Sequence, residues 1–465
     1  MKHNSALLSA IYLCVAASAS ADYKAVNPQV AKIVSEVSEQ RITEILRKLE
    51  SFGTRNTFSS QDSPSPGVGA ARKWIYEQFR GYTPRLEVSF DKYRLKKDEA
   101  PGSRVTTDVD LYNVVAVLLG TVNREQRIII SGHYDSIALV RPAGATSKGA
   151  GGSQPDRPTV PSDPTGDAPG VTDDGSGTAC VMELARVLNQ YEFEKTLVFI
   201  AFAGEEYGLL GSTLYAEKAH SENHFIEAVL NNDIIGSETA GNGRMDNWGV
   251  NVFSEDPSDS PSRQLAHYIR DMGMRYLPLM RADLIFRVDR FGRGGDHTPF
   301  NQRGFAAVRF SSPQENFTNQ HSVTDTFANT SVPYILRVTK ENAAAVASLA
   351  LAPKSPGTME RIERSGQIVP TFLLTRGKTR YDAMLRWKQG NPEPDLAGYV
   401  VLMRATTAPF WEHDIFVGNV TEYTLPDVSI DEVVFGVKSV DKDSNESLVA
   451  PYVQTPRAKR NIPIY

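Results

Sequence analysis

The strongest constraint on this chain is one unbroken apolar run, Leu197-Val-Phe-Ile-Ala-Phe202, standing between two helical patterns. A strand can be apolar at every position only if both of its faces are covered. The stretch Ser176 to Leu188 before it and Leu209 to His220 after it carry apolar residues at helical spacing. Further helices are predicted over Val30 to Phe52, Gly69 to Phe79 and Val332 to Leu351. Strands are predicted over Arg85 to Phe90, Asn113 to Leu119 and Arg127 to Ser131. Strands alternating with helices imply an α/β fold, a mixed central sheet flanked by helices. A loop rich in Gly, Pro and Ser interrupts the pattern from Arg141 to Gly170, and loops of that length are commonly functional or disordered.

Beyond Pro353 the texture changes. Short alternating segments replace helices: Ala383 to Trp387, Gly398 to Leu402, Glu422 to Leu425 and Val433 to Val437, separated by turns rich in Asn, Asp and Pro. That is the pattern of a small all-β sandwich. A length of 465 residues suits more than one folded unit. The expected division is a signal peptide over 1–21, a catalytic domain over 22–353, and a linker with the sandwich over 354–465.

The leader reading rests on three parts. Lys2 and His3 form a polar start, Ala6 to Ala17 is apolar, and Ala19-Ser20-Ala21 offers small residues for cleavage before Asp22. The apolar part is short for a membrane span, so a secreted or periplasmic protein without stable membrane insertion is expected. With Cys14 removed, Cys180 is the sole cysteine left of two, which excludes an intramolecular disulfide. Cys180 lies within a helical pattern and reads as a core residue. A net charge of −5 argues against nucleic acid as a partner.

Of eight histidines, three stand in acidic surroundings: His133, His297 and His321. His133 and Asp135 follow an apolar strand two residues apart, so both side chains point the same way. A neutral imidazole can bind zinc while the carboxylate accepts its other N–H. Taken alone, the pair is equally a satisfied polar pair at a strand end. Asp173 and Asp174 precede the helix at Ser176, where an acid can also cap the helix. Glu205 and Glu206 stand at the end of the most apolar strand, and adjacent carboxylates there repel unless a cation is near. Asp233 follows Val229-Leu-Asn-Asn232, and turn chemistry is its ordinary reading. As a set, His133, Asp173, Glu206 and Asp233 sit where strand ends are expected, and catalytic ligands in α/β folds gather at carboxyl ends of strands.

The order of these stretches resembles the family-28 metallopeptidases, the co-catalytic dizinc type that includes bacterial leucine aminopeptidases. The resemblance runs from Leu111 to Leu351. It is carried by Gly132-His-Tyr-Asp-Ser136, Pro169-Gly-Val-Thr-Asp-Asp-Gly-Ser-Gly177, Ala203-Gly-Glu-Glu-Tyr-Gly-Leu209, Asn232-Asp-Ile234, Gly295-Asp-His-Thr-Pro-Phe300 and Gln320-His-Ser-Val-Thr-Asp-Thr326. The resemblance implies a zinc-exopeptidase-like sheet and two zinc ions per chain. It implies that His133 and Asp233 hold one ion, Glu206 and His321 the other, and that Asp173 bridges them. It makes Glu205 the general base and Asp135 the residue that orients His133, and it implies a cis peptide bond after Asp173. His297 matches a family motif and reads as supporting structure. Some relatives have a tyrosine directly before the last histidine, where this chain has Gln320. The expected activity is release of N-terminal residues from peptide substrates by attack of a zinc-activated water. A carboxypeptidase of the same clan, a single-zinc glutaminyl cyclase-like enzyme and a non-catalytic binding protein are the alternatives. The C-terminal segment resembles a fibronectin type III domain, with Trp387 early and Gly398-Tyr399 opening a later strand. It has Val433 where many such domains have a tyrosine. Such a domain is available to contact another protein or a surface.

Overall fold

The computed structural model describes residues 23–62, 64–97, 104–139, 163–358, 360–364, 367–390 and 393–453. The expected signal peptide lies outside the described residues, as do residues 141–162 of the expected loop.

The first helix pattern is two helices. In α1 (Pro28–Ser35) the Asn27 side chain accepts the N–H of Gln29 and Val30, and in α2 (Glu39–Glu50) the Ser38 hydroxyl accepts that of Arg41. One helix from Val30 to Phe52 was the expectation. The chain breaks at Glu36–Ser38 because the Ser38 cap starts a new helix. Ile33, Val37, Ile42, Ile45, Leu46 and Leu49 are all buried on either side of the break, so the apolar spacing alone hid it.

There follow α3 (Val68–Tyr82), β1 (Leu86–Leu95), β2 (Val109–Leu118), β3 (Asn123–His133), α4 (Ser176–Leu188), β4 (Lys195–Phe202), α5 (Leu210–Ser221) and β5 (Phe225–Asn232). Then come β6 (Gly249–Phe253), α6 (Pro261–Tyr276), β7 (Arg281–Ile285), α7 (Thr298–Asn301), β8 (Ala307–Ser311) and α8 (Val332–Leu351). The eight strands form one mixed sheet in the order β1-β2-β4-β3-β5-β8-β6-β7. Its centre, β4-β3-β5-β8, is parallel, while β1 and β2 add on antiparallel at one edge.

Alternate residues of the central strands feed two cores. Ile128, Ile130, Leu197, Phe199 and Ala201 pack with α1, α2, α3, α4, α6 and α8. Ile129, Val198, Ile200, Phe202 and Val229 pack with Tyr215 and Ala216 of α5 and with Phe300 of α7. The sheet is covered on both faces but unequally. This explains why β4 is buried at every position. Each such aliphatic or aromatic side chain contributes roughly 1.5–3 kcal/mol on burial. Cys180 is buried in α4, and burial pushes its thiol up to about 12, the property of an inert core residue.

The chain crosses from β3 to β4 on one side and later returns to β5 on the other. Carboxyl ends of parallel strands at such a reversal leave a crevice between diverging loops.

The C-terminal part begins with the hairpin β9 (Glu360–Arg364) and β10 (Gln367–Thr371). Two sheets follow. One contains β11 (Leu373–Arg376), β12 (Ala383–Arg386) and β15 (Glu422–Leu425). The other contains β13 (Leu396–Ala405), β14 (His413–Gly418), β16 (Val433–Asp441) and β17 (Ala450–Pro451). They enclose a core of Leu385, Trp387, Tyr399, Val401, Phe435 and Val437, with the Trp387 and Tyr399 rings 5.4 Å apart edge to face. This sandwich rests on the α/β layer. Buried Glu446 accepts from Arg275 of α6 at 2.5 Å and also pairs with Lys438. Trp411 Nε1 donates to Gln264 of α6 at 3.2 Å, and Leu448 joins the larger core. Among the described residues no helix is long and apolar enough to cross a membrane.

Candidate metal centre

Three of the four expected strand-end ligands stand at carboxyl ends of the parallel strands. His133 is the last residue of β3, Asp233 follows β5 directly, and Glu206, with Glu205, follows β4 after the turn at Gly204. Asp173 does not follow a strand, contrary to the expectation. It lies in a short turn, Val171–Gly175, that leads into α4, because Asp325 fixes the chain there. The Asp325 carboxylate accepts the N–H of Thr172 and of Asp173, each at 2.9 Å. The peptide bond between Asp173 and Asp174 is cis.

Asp174 ties the separate elements together. One carboxylate oxygen accepts the N–H of His133 at 3.1 Å. The other accepts those of Gly177 at 2.8 Å and Ile234 at 3.2 Å. The ends of β3 and β5 and the start of α4 thereby meet on one buried side chain. Gly177 permits the close approach, since a Cβ there would lie 2.1 Å from the Asn232 carbonyl oxygen.

Around the crevice the expected side chains converge. His133 Nε2 is 3.3 Å from Asp173 Oδ1, 3.8 Å from Asp233 Oδ1 and 4.0 Å from Glu205 Oε2. His321 Nε2 is 3.0 Å from Asp173 Oδ2 and 3.1 Å from Glu206 Oε2. Asp173 therefore faces both imidazoles with different oxygens. His321 reaches this position from a left-handed backbone, φ 53°.

The arrangement fits a metal. Donor atoms of His133, Glu205 and Asp233, and of His133, Asp173 and Glu206, form two compact groups. His133 Nε2 and Glu206 Oε1 are buried and make no hydrogen bond in the structure. A buried polar atom without a partner is costly, and a cation supplies the partner. Four carboxylates in one buried pocket demand positive charge. Burial and the neighbouring Asp233 and Glu206 push the Glu205 carboxyl well above its usual range, although the His133 ring opposes this. Arg309, fully buried in β8, supplies some charge, with Nη2 2.9 Å from Asp233 Oδ1.

The Asp135 carboxylate does not accept the His133 ring N–H, contrary to the expectation, because it is turned to other donors. His133 Nδ1 faces the Asp135 main-chain oxygen at 3.1 Å, and the nearest carboxylate oxygen is at 3.6 Å. The Asp135 carboxylate accepts the N–H of Glu205 at 3.1 Å and of Glu206 at 3.3 Å, and the Thr57 hydroxyl at 2.9 Å. It therefore fixes the glutamate turn. His297 stands apart from the cluster, with Nε2 2.7 Å from the Val288 carbonyl oxygen. Gln320 Nε2 donates to Asp173 Oδ2 at 2.9 Å.

Arg55 carries a role that its sequence does not reveal. It is fully buried and donates to the carbonyls of Tyr134 (2.7 Å), Leu49 (3.3 Å), Pro169 (2.5 Å) and Gly170 (2.7 Å). It thus joins the segment after β3 to the turn that carries Asp173. Burial pushes its guanidinium down to about 10, opposed by the fields of Asp325 and Asp135.

Comparison with known proteins agrees with this geometry. Residues 113–346 match peptidase family M28. A probable zinc metalloprotease of Leptosphaeria maculans is 34% identical over 446 residues, covering 90% of this chain and 95% of that protein. A probable zinc metalloprotease of Pyricularia oryzae is 36% identical over 450 residues, covering 89% of this chain and 82% of that protein. Among solved structures, the Legionella pneumophila LapA aminopeptidase shares the fold with a TM-score of 0.51 at 19% identity, over 70% of this chain and 75% of that one. With a family match that spans every residue of the cluster from His133 to His321, and relatives at this identity along nearly the whole chain, the protein belongs to peptidase family M28.

Proposed function

We propose that the protein is an exported zinc-dependent aminopeptidase with two zinc ions per chain. The carrying observation is the convergence of His133, His321 and four carboxylates on one crevice, where His133 Nε2 and Glu206 Oε1 are buried without a hydrogen-bond partner. Zinc dependence also agrees with the names of the fungal relatives. His133, Asp173 and Asp233 would hold one ion, and Asp173, Glu206 and His321 the other. When bound, zinc supplies charge that lowers the pKa of a water and polarises a carbonyl.

The chain's own groups do the rest. Glu205 Oε2 takes the proton of the attacking water and returns it to the leaving amine. Asp135 holds the main chain of Glu205 and Glu206, Asp325 holds that of Asp173, and Arg309 orients Asp233. Each carboxylate then stays in place as charge develops, which is the condition for electrostatic preorganisation. Carboxylates along the crevice suit a substrate ammonium, since a buried cation needs such partners. The sandwich is read as fibronectin type III-like, and the segment 1–21 as its export signal.

Two peptides of one sequence test the direction of cleavage: one with a free N-terminus and an amidated C-terminus, the other acetylated and ending in a free acid. The first should be hydrolysed from its N-terminus. Hydrolysis of the second alone would make the protein a carboxypeptidase.

A further inference from the structure

The crevice is lined by cations that the reaction above leaves unused. Its volume is about 240 Å³, and Arg104, Arg290 and Arg293 line it together with Asp173, Glu205, Asp233 and His321. Arg104 is exposed and lies over the Tyr207 ring, 5.4 Å from its centroid. Arg290 and Arg293 differ in how they are held. Arg290 is fully engaged: Nε meets Asp289 at 3.0 Å, Nη1 meets both Glu315 oxygens at 3.1 Å, and Nη2 meets the Gly294 carbonyl at 3.2 Å. Arg293 gives Nη1 to Glu315 Oε2 at 2.8 Å, and its Nε and Nη2 meet no acceptor among the described residues.

Ion pairing points the same way. Arg309 pairs with Asp233 and Asp289, whereas Arg290 and Arg293 share the single Glu315 carboxylate. Of the two on Glu315, Arg293 is the less engaged, with 26% of its side chain exposed. Phe317 lies beside it, 5.8 Å from ring centroid to guanidinium carbon. A guanidinium fork with free donors matches a carboxylate in shape and charge. Arg293 lines the same crevice as Glu205, Asp233 and His321, so a carboxylate held by it lies close to the bond that Glu205 serves.

We infer that Arg293 receives a carboxylate of the peptide substrate within a residue or two of the cleaved bond. The inference rests on the peptidase reading. The carboxylate comes either from the C-terminus of a very short peptide or from an Asp or Glu side chain.

The test compares kcat/KM of the zinc-loaded full chain on Leu-Ala amide, Leu-Ala, Leu-Glu amide and Glu-Leu amide. At least one acid-bearing peptide should exceed the neutral amide by about tenfold, the usual scale of a charge-assisted hydrogen bond. The preferred arm identifies the source. R293M should bring the ratio to about one, and R293K should leave an intermediate value, because it keeps the charge without the fork. A wild-type enzyme without acid preference, or a preference that R293M leaves intact, overturns the inference. If R293M does not fold, the same ratio in rising salt decides: it should fall, and a constant ratio contradicts charge recognition. If no peptide is cleaved, the peptidase reading fails. Calorimetric affinities of the same four peptides then supply the ratio by which the inference stands or falls.

Discussion

Glu205 and Glu206 are neighbours in sequence but have different surroundings. Glu206 Oε2 stands 3.1 Å from His321, while Glu205 Oε2 stands 4.0 Å from His133. Glu205→Ala should therefore keep bound zinc and lose about 10²–10⁴-fold in kcat, the range of general-base catalysis. Glu206→Ala should weaken zinc binding first, read by elemental analysis after dialysis. The opposite pattern would exchange their roles. At this scale His133, Glu205, Glu206 and Asp233 were legible because they sit in unusual company, at the ends of apolar strands, whereas Asp173 and His321 follow no strand and were legible only through the resemblance of their motifs. Arg55, Arg309 and the many-sided role of Asp174 were not legible. An arginine in a turn reads as solvated, and only the closed fold shows Arg55 among four carbonyls.

At the scale of elements, α4 and α8 have the bounds expected from the sequence, Ser176 to Leu188 and Val332 to Leu351. Both are long apolar patterns with plain ends. The α6 helix went unread although Ser260 caps it and Pro261 opens it, because its apolar positions are interleaved with Arg263, His267 and Arg270. The five-residue strands β6 and β7 are too short to show a period. Helix packing also creates a liability that no pattern shows. Glu341 of α8 is fully buried and its carboxylate oxygens have no hydrogen-bond partner. Burial, with the field of Asp283, pushes it from 4.5 up to about 8. Below the lower value both folded and unfolded chains hold the proton, so nothing is lost. Between the two values the unfolded chain releases a proton that the folded chain keeps, and stability falls as pH rises. Each step of one in pH across that interval costs about 1.4 kcal/mol, and the loss reaches about 4 kcal/mol by pH 8. Glu341→Gln should therefore match the wild type in denaturant unfolding near pH 5 and exceed it near pH 8. A wild type that loses no stability relative to the variant over that interval would contradict this account.

The whole molecule joins a catalytic layer to a sandwich through a few buried groups. Glu446 binds Arg275 of α6 and Lys438 of β16, so it fastens the two parts. Glu446→Ala should cost about 3–5 kcal/mol, the usual penalty for leaving buried charges unpaired. Its kcat on a short peptide should be unchanged, because the residue is outside the crevice. A lower kcat at full occupancy of the folded state would give the sandwich a part in the chemistry. The change of texture at Pro353 made the second unit legible, whereas its seat on α6 depends on contacts far apart in sequence. The central claim concerns the two-ion centre, and zinc stoichiometry tests it most directly. The metal-stripped chain is titrated with zinc while bound metal and peptide hydrolysis are followed together. The account predicts about two ions per chain, with full turnover only when both are bound, as in bridged co-catalytic sites. Full turnover with a single tightly held zinc would contradict it.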